Sequence, residues 1–530
     1  MKRVMAVALV VLLVSLAPLF ASGTDETQPG SRASSSIVNR TGFPIVKQPL
    51  TLKFMGRRAA VHGPWANMLV FTEYEKMTGI KIEWDEVPDA GYRERLNLVL
   101  ASGDLPDAIF RAALTPNDVA KYGPDGTFVP LEGLVKEWGA NLNALFTKFP
   151  AALSSSQAAD MHMYALPAFV TLDAARTDKF WMNKKWLDKL GLKAPETFDE
   201  LKRVLTAFRD RDPNGNGKAD EIPMTARGFQ DGQLRHLLTN HLGSFGINTQ
   251  FGYYVNVENG KAAVWVGDPR VKALLQIWAD FYKEKLLDNN FPAQTAQEFL
   301  AKNNSDTTGY FQNQADDTFV KYSADFVGIA PFIGPNGKRG VYNLPVARDF
   351  GTFAITKANK YPEATMRWID YFYSRDGSRF FRMGIEGKTY SKTADGKYVY
   401  SDEIMKDPRG TGATIGQMTT WPQGGLPHLI DDENSIAVNS ATTSKAQVAL
   451  QPFLDSPVYG IPIFSPEDQA TAVAIRTDLD TYVLENVAKF ITGAQDFSQW
   501  DAYLAGIEKI GIRKLDALYQ KTLERMTAKK

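Results

Sequence analysis

The chain has 530 residues, 44% of them hydrophobic, with 60 Lys+Arg against 60 Asp+Glu and no cysteine. The missing cysteine excludes disulfides, thiolate metal sites, a cysteine nucleophile and a lipid-modified N-terminal cysteine. The balanced charge favours neither nucleic acid nor an anionic membrane, and the length exceeds one compact core and predicts two lobes.

Lys2 and Arg3 precede an almost wholly apolar run over residues 4–16, which Pro18 breaks before Leu19-Phe20-Ala21. This basic, apolar, small-residue order is that of a secretory signal, expected to be cleaved after Ala21 or Gly23. The run is about 13 residues, short of the roughly 20 that span a bilayer. Residues 1–23 are therefore read as a signal peptide. Residues 24–48, rich in Ser, Thr and Gly, are read as a flexible leader, with the fold starting near Pro49.

Residues 50–55 alternate as a strand, and Trp65, Met68, Leu69, Phe71 and Tyr74 fall at helical spacing up to Gly79. A second strand is expected over 80–84, a helix over 92–101 ending at Gly103, and a buried strand over 106–110. This alternation predicts parallel βαβ units and an α/β fold. Further along, 179–183 reads as a strand and 184–190 as a helix stopped by Gly191. Thr197 and Glu200 stand at the N-cap and third position of a capping box whose helix buries Phe198, Leu201, Val204, Leu205 and Phe208. Residues 352–356 read as a strand, Pro362 opens a helix, and Trp500, Tyr503, Leu504, Ile507 and Ile510 share one face of a C-terminal helix ended by Gly511.

The sharpest local motif runs from Asp212 to Glu221. Asp212, Asn214 and Asn216 hold positions 1, 3 and 5 of a calcium loop, Gly217 makes the turn at position 6, and Lys218 offers its carbonyl at position 7. All are hard oxygen donors, suited to a structural Ca2+. Position 12, normally a bidentate Glu, is Pro223, so Asp220 and Glu221 are the available substitutes. The other reading is a polar Asx-rich turn after a helix.

No catalytic motif is present. None of the five histidines stands in an H-E-x-x-H arrangement, there is no G-x-S-x-G elbow, and Gly387-Lys388-Thr389 lacks the first P-loop glycine because Arg382 holds that place. With 60 acidic residues, a glycosidase carboxylate pair is not excluded, but no motif singles one out.

Several segments together resemble the family 1 extracellular solute-binding proteins of ABC sugar importers: Gly103-Asp104-Leu105-Pro106-Asp107, Met163-Tyr164-Ala165-Leu166-Pro167, Trp181 to Leu187 running on to Leu201, Gly384 to Tyr390, and Phe490-Ile491-Thr492-Gly493. The calcium loop resembles that of the alginate- and oligosaccharide-binding subgroup. The resemblance implies a type II, two-lobed fold of mixed or parallel sheets flanked by helices and joined by hinge strands near 165–170, 345–352 and 450–462. It places 49–167 plus 350–452 in lobe one and 168–349 plus 453–530 in lobe two. It also implies a monomeric receptor that binds an oligosaccharide between the lobes and hands it to membrane permease subunits, with no turnover and no nucleic acid partner. Many members of the family are lipoproteins, whereas this chain has no lipobox cysteine, so it is expected to diffuse freely in the periplasm. Rival readings are a secreted calcium-stabilised polysaccharide lyase or glycoside hydrolase, and a surface adhesin.

Ligand contacts are expected from loops at the cleft: Arg57 and Arg58 after the first strand, Trp65 nearby, Asp107, and the aromatic platforms Tyr164 and Trp421. Packing or solvated surface is the competing role for each. Arg57 and Arg58 hint at an acidic sugar, because arginine pairs bidentately with carboxylate. Expressed with its own leader, the protein should be recovered in soluble form beginning at Ser22 or Thr24. An N-terminal sequence starting at Met1, or recovery only with membranes, contradicts the processing signal.

Overall fold

The computed structural model describes residues 37–172, 177–229, 235–251, 255–316, 319–394, 396–422, 424–431, 440–454 and 459–528. The expected signal peptide lies outside them. Among the described residues no helix is long and apolar enough to cross a membrane.

The strands in chain order are β1 (Leu50–Arg58), β2 (Ile80–Pro88), β3 (Ala108–Phe110), β4 (Leu166–Val170), β5 (Lys179–Asn183), β6 (Ile222–Met224), β7 (Thr249–Gln250), β8 (Val255–Glu258), β9 (Lys261–Val264), β10 (Thr308–Asn313), β11 (Phe326–Ile329), β12 (Ala347–Ile355), β13 (Tyr390–Lys392), β14 (Tyr398–Tyr400) and β15 (Leu429–Ile430). Six of them form one sheet, in the order β15-β4-β12-β3-β1-β2, and four form a second, in the order β11-β5-β10-β6. β1 pairs in parallel with β2 and β3, as the alternating strands and helices predict, whereas β12 runs antiparallel between β3 and β4. β3, β4 and β5 are buried at every residue, as expected of strands covered on both faces.

Each sheet has its own core. Phe54, Phe71, Phe110, Phe353, Trp368 and Phe372 pack on the first sheet; Phe180, Trp186, Phe208, Trp278, Phe332 and Phe490 pack on the second. β4 is parallel to β3, so its carboxyl end Val170 lies on the same edge as the carboxyl ends of β1 and β3. β5 is antiparallel to β10, so its first residue Lys179 lies beside Asn313, the carboxyl end of β10. The chain that leaves β4 and enters β5 therefore joins the carboxyl edges of the two sheets. The return from β11 does the same, since Ile329 pairs with Phe180 and Ala347 with Phe169. Polar loops at both edges consequently face one gap, where α/β sheets take their ligands.

Three expectations change. The leader is shorter than 24–48: Val38 bridges Val46, and Ile45 is fully buried in the first core, because Val38, Ile45 and Val46 have apolar surface to hide. The single helix over Trp65–Tyr74 is a 3-10 turn, Trp65–Asn67, followed by the helix Leu69–Thr78. The lobe boundary near 452 falls too late. The helix Ala441–Leu450 lies on β11 in the second lobe, so closely that a Cβ on Gly328 would stand 2.2 Å from the Ala446 Cβ, and Leu450 belongs to the second core. The chain has already crossed between Ile430 and Ala441. A smaller difference concerns Thr197, which accepts from the Glu200 N–H as a cap should, while the Glu200 carboxylate accepts from Glu196 N at 2.8 Å instead of closing the box on Thr197.

Trp65 plugs the first core beside β1. A Cβ on Gly56 would lie 2.1 Å from its Cζ3. Gly56→Ala should therefore cost about 1–3 kcal/mol through overpacking, read as a lower urea midpoint with unchanged m-value. An unchanged midpoint would show that the indole has room to move.

Candidate binding cleft and metal loop

The first lip of the gap is built on the carboxyl ends of β1, β2 and β3. Arg57 and Arg58 end β1, Asp89 follows β2, and Arg111 follows β3 with a left-handed φ of 53°. Arg111 is 2% exposed. Its Nη1 donates to the Arg57 carbonyl at 3.0 Å and to Asp89 Oδ1 at 3.2 Å, and its Nε donates to the Gly424 carbonyl at 2.9 Å. Arg57 Nε also reaches Asp89, at 3.5 Å, and Arg58 Nε pairs with Glu86 at 2.8 Å. Each arginine thus already holds a carboxylate, which leaves its remaining N–H groups as directional donors. Burial, then the charge of Arg57, pull the Arg111 guanidinium down to about 10.

The loop through Trp421 and Gly425 closes this lip. His62 Nε2 is 2.9 Å from the Pro422 carbonyl, Gly424 accepts from Arg111, and Gly425 N donates to Asp349 at 3.2 Å. Asp349, in the bulged part of β12, carries a φ of 48°. Left-handed backbone at non-glycine residues costs energy and persists where neighbours hold it. Here Arg111 and Asp349 are fixed in that way on either side of one loop.

The second lip caps the carboxyl ends of β6 and β10 with a buried amide network. Asn240 Nδ2 donates to Gln312 Oε1 at 2.5 Å and lies 3.4 Å from Asp178, while Gln312 Nε2 reaches the Tyr310 hydroxyl at 2.9 Å and His241 Nε2 at 2.5 Å. Burial, then the charge of His236, hold the His241 imidazole down to about 3. Nε2 of this neutral ring accepts from the Gln312 amide.

The six expected ligand contacts separate. Arg57 and Arg58 lie at the lip. Trp421 is half-buried in the closing loop. Trp65 is fully buried between Trp84 and Phe110 and has no ring face for a ligand. Tyr164 is 3% exposed, donates its hydroxyl to Asp160 at 2.8 Å and packs in the first lobe. Asp107 precedes β3, at the amino edge of the sheet, and accepts from Lys53 N at 2.8 Å; it lies on the wrong side. Spacing cannot separate these cases, because burial depends on which segments meet. Sequence reading missed Arg111, Asp89, His62, Asp349 and the Asn240–Gln312 network. Arg111 alone left a trace, as a charge directly following the apolar Ala108-Ile109-Phe110.

The loop read from the sequence as a calcium site joins the end of the helix Phe198–Asp210 to β6. Asp212, with φ 46°, accepts at Oδ1 from Gly215 N (2.8 Å) and Asn216 N (3.1 Å) and at Oδ2 from Gly217 N (3.1 Å). Asn214 and Asn216 accept backbone N–H groups at Oδ1 and turn their amide nitrogens onto Asp220, at 2.9–3.0 Å. Burial works against ionisation of Asp212, but the three N–H groups outweigh it and hold the carboxyl below its usual range. Glu221 Oε1 is buried without a hydrogen-bond partner, and burial followed by the charges of Asp212 and Asp220 pushes this carboxyl up. The three carboxylates and two amides of this turn, with a buried orphan oxygen, are the hard donors a dication takes, but among the described residues no three carboxylates converge on one point.

His62 sets a pH dependence. It is 2% exposed. Burial pulls its imidazole down to about 4; the bond to the Pro422 carbonyl opposes this and the charge of Arg111 adds to it. The folded form thus binds a proton less readily than the unfolded chain, whose histidine titrates near 6.5. Its contribution is intact above about pH 6.5 and is lost as the pH falls toward 4. Urea midpoints should fall from pH 7 to pH 5, and His62→Gln should shrink that fall. An equal fall in the variant would assign the acid sensitivity elsewhere.

The sequence and fold match known proteins across the whole chain. Residues 59–378 match the model of the bacterial extracellular solute-binding protein family. The fructooligosaccharide ABC transporter substrate-binding protein FusA of Streptococcus pneumoniae serotype 4 is 28% identical, over 98% of both chains. Its structure in complex with kestose superposes with a TM-score of 0.71 at 25% identity, covering 91% of this chain and all of that one. An HMO-binding, ABC-transporter-associated solute-binding protein of Bifidobacterium longum infantis gives 0.74 at 22% identity, with coverage of 91% and 100%. The alginate-binding protein AlgQ2, in a structure without calcium ion, gives 0.70 at 23%, with coverage of 91% and 99%. With its two separately cored α/β lobes and crossing strands, the chain belongs to the bacterial extracellular solute-binding proteins and has their two-lobed type II fold.

Proposed function

We propose that this protein is the extracytoplasmic substrate-binding component of an ABC importer, taking an oligosaccharide between its lobes and presenting it to membrane permease subunits. The observation that carries this reading is the topology: every described crossing joins the carboxyl edges of two independently packed sheets, so both polar lips border one gap. The similarity to FusA along its full length supports it. Arginines that each already hold a carboxylate suit the hydroxyls of a sugar, as fixed donors beside fixed acceptors. Asp89 and Glu86, held by guanidiniums, are placed to orient a ligand; proton transfer by a lyase or hydrolase would need one of them free. The same reading makes the protein a soluble periplasmic monomer released from its signal peptide.

We further assign a structural Ca2+ to the loop, held by Asp212, Asn214, Asn216, the Lys218 carbonyl, Asp220 and Glu221, with both asparagine amides turned oxygen-inward. The ion would clip the helix Phe198–Asp210 to β6 and carry no chemistry. At free calcium a hundredfold above its Kd, such a site adds about 2.7 kcal/mol of stability. Chelation should lower Tm without unfolding the protein at 25 °C, and Asp212→Ala should reproduce that loss. Calcium titration that gives no binding heat with stripped protein would remove the site. Affinity should also weaken on acidification, since the raised carboxyl of Glu221 must be ionised to bind.

A sugar touching both lips has more contacts in a closed form and shifts the population toward it. Kestose, another neutral oligosaccharide or an oligouronide that raises Tm should therefore also lower the radius of gyration in solution scattering. A bound sugar that leaves the scattering curve unchanged would end the hinge-closing mechanism, and product formation from any of these sugars would favour the enzyme reading.

A further inference from the structure

Arg382 carries a buried cation–π stack at the closing loop. It lies in the helix Arg375–Met383 and is 2% exposed, with its Cζ 4.2 Å from the centre of the Trp421 ring. Its Nε and Nη1 are buried with no hydrogen-bond partner. Among the described residues no carboxylate pairs with it; Asp431, which adds a favourable field, is held by Arg375 at 3.1 Å. Burial lowers the Arg382 guanidinium to about 10, and nearby His428 is buried and held well below its usual range, so it supplies no charge. A guanidinium in this state is unfavourable for folding: desolvating it costs more than one indole face returns.

The surrounding backbone needs none of that charge. The loop is fixed to the helix by other groups: Thr420 donates through N and Oγ1 to the Phe381 carbonyl at 3.0 and 2.8 Å, and the Tyr400 hydroxyl and Thr419 Oγ1 both reach the Arg382 carbonyl at 3.3 Å. What the guanidinium touches is the Trp421 ring, and Trp421 keeps part of its surface open at the start of the loop that meets His62, Arg111 and Asp349.

We propose that Arg382 is a positioning residue for ligand binding: its guanidinium stacks on one face of Trp421 and fixes the indole so that the other face is a platform for the apolar C–H face of a sugar ring. This rests on the receptor reading above. It predicts a residue kept for recognition at some cost to stability, acting only through Trp421.

The test uses the full mature chain. Without sugar, Arg382→Met, which fills the space without charge, should leave Tm unchanged or raise it, and should alter the near-UV circular dichroism. That spectral change should vanish in a Trp421→Phe background. A Tm lowered by about 5 °C, the scale of a lost stabilising interaction, would make Arg382 structural; a spectral change that persists in the Trp421→Phe background would disconnect it from the indole. Either outcome overturns the proposal. Kestose and digalacturonate are then titrated calorimetrically. Binding weakened about tenfold or more by Arg382→Met, and recovered in part by Arg382→Lys, supports it; equal affinity in wild type and Arg382→Met overturns it while leaving the receptor reading intact. If neither sugar binds the wild type, the failure lies with the choice of ligand class, and the Tm and dichroism results still decide whether Arg382 positions Trp421.

Discussion

The guanidinium of Arg111 holds together three chain segments that are far apart in sequence. It is nearly inaccessible, yet it has only a share of Asp89, which also attracts Arg57. A charge taken out of water must find fixed dipoles nearby. Arg111 finds them in the Arg57 and Gly424 carbonyls, so the end of β1, the turn after β2 and the closing loop are drawn to one point. A Cβ at Gly425, where φ is 77°, would stand 2.8 Å from Arg57 Nη2, which shows how tightly the loop sits on this cluster. The lip of the first lobe is therefore cross-tied by its own groups, and under the receptor reading such ties would lower the ordering cost of binding.

The two lips are unlike. The first is charged, with three arginines facing two carboxylates. The second rests on a buried network in which Gln312 bonds Asn240, Tyr310 and the His241 ring, with Asp178 beside Asn240, while Asn240 Oδ1 and His241 Nδ1 are left without a partner. Under the receptor reading proposed above, a ligand spanning the gap would meet directional ionic groups on the first side, whereas Asn240, His241 and Gln312 are buried beneath the second. Only ligands able to use both gain from closing the gap, since a conformational equilibrium shifts by no more than the difference in contacts between its states.

The loop proposed to hold calcium lies at the far end of the short strand that leads to the second lip. β6 runs from Ile222 to Met224 and is followed by Thr225, which contacts Asp288 at 3.1 Å and Gln294 at 3.2 Å. Anchoring the loop fixes where β6 begins, and so where its carboxyl end stands. A dication in this loop would act on the cleft through that strand, at a distance and without touching the ligand.

Local rules determined a good deal by themselves. Glycine stops marked the helices ending at Gly79, Gly103, Gly191 and Gly511, and a proline start marked the one opening at Pro362, because each depends on residues a few positions apart. The motif from Asp212 to Glu221 was legible for the same reason: its bonds span no more than six residues. Tertiary structure alone decided the rest. Trp65, Tyr164 and Trp421 are alike as aromatic residues in the sequence, but only assembly shows that the first two are enclosed and the third is half-buried against Arg382 and the small cluster around Tyr400. Asp107 and Arg111 stand four residues apart on opposite edges of one strand, so the direction of β3 within the sheet, and no feature of their composition, sends one away from the gap and the other into it. The helix Ala441–Leu450 was assigned to the wrong lobe because its partner is Gly328, more than a hundred residues away, whose missing side chain leaves the space that Ala446 fills.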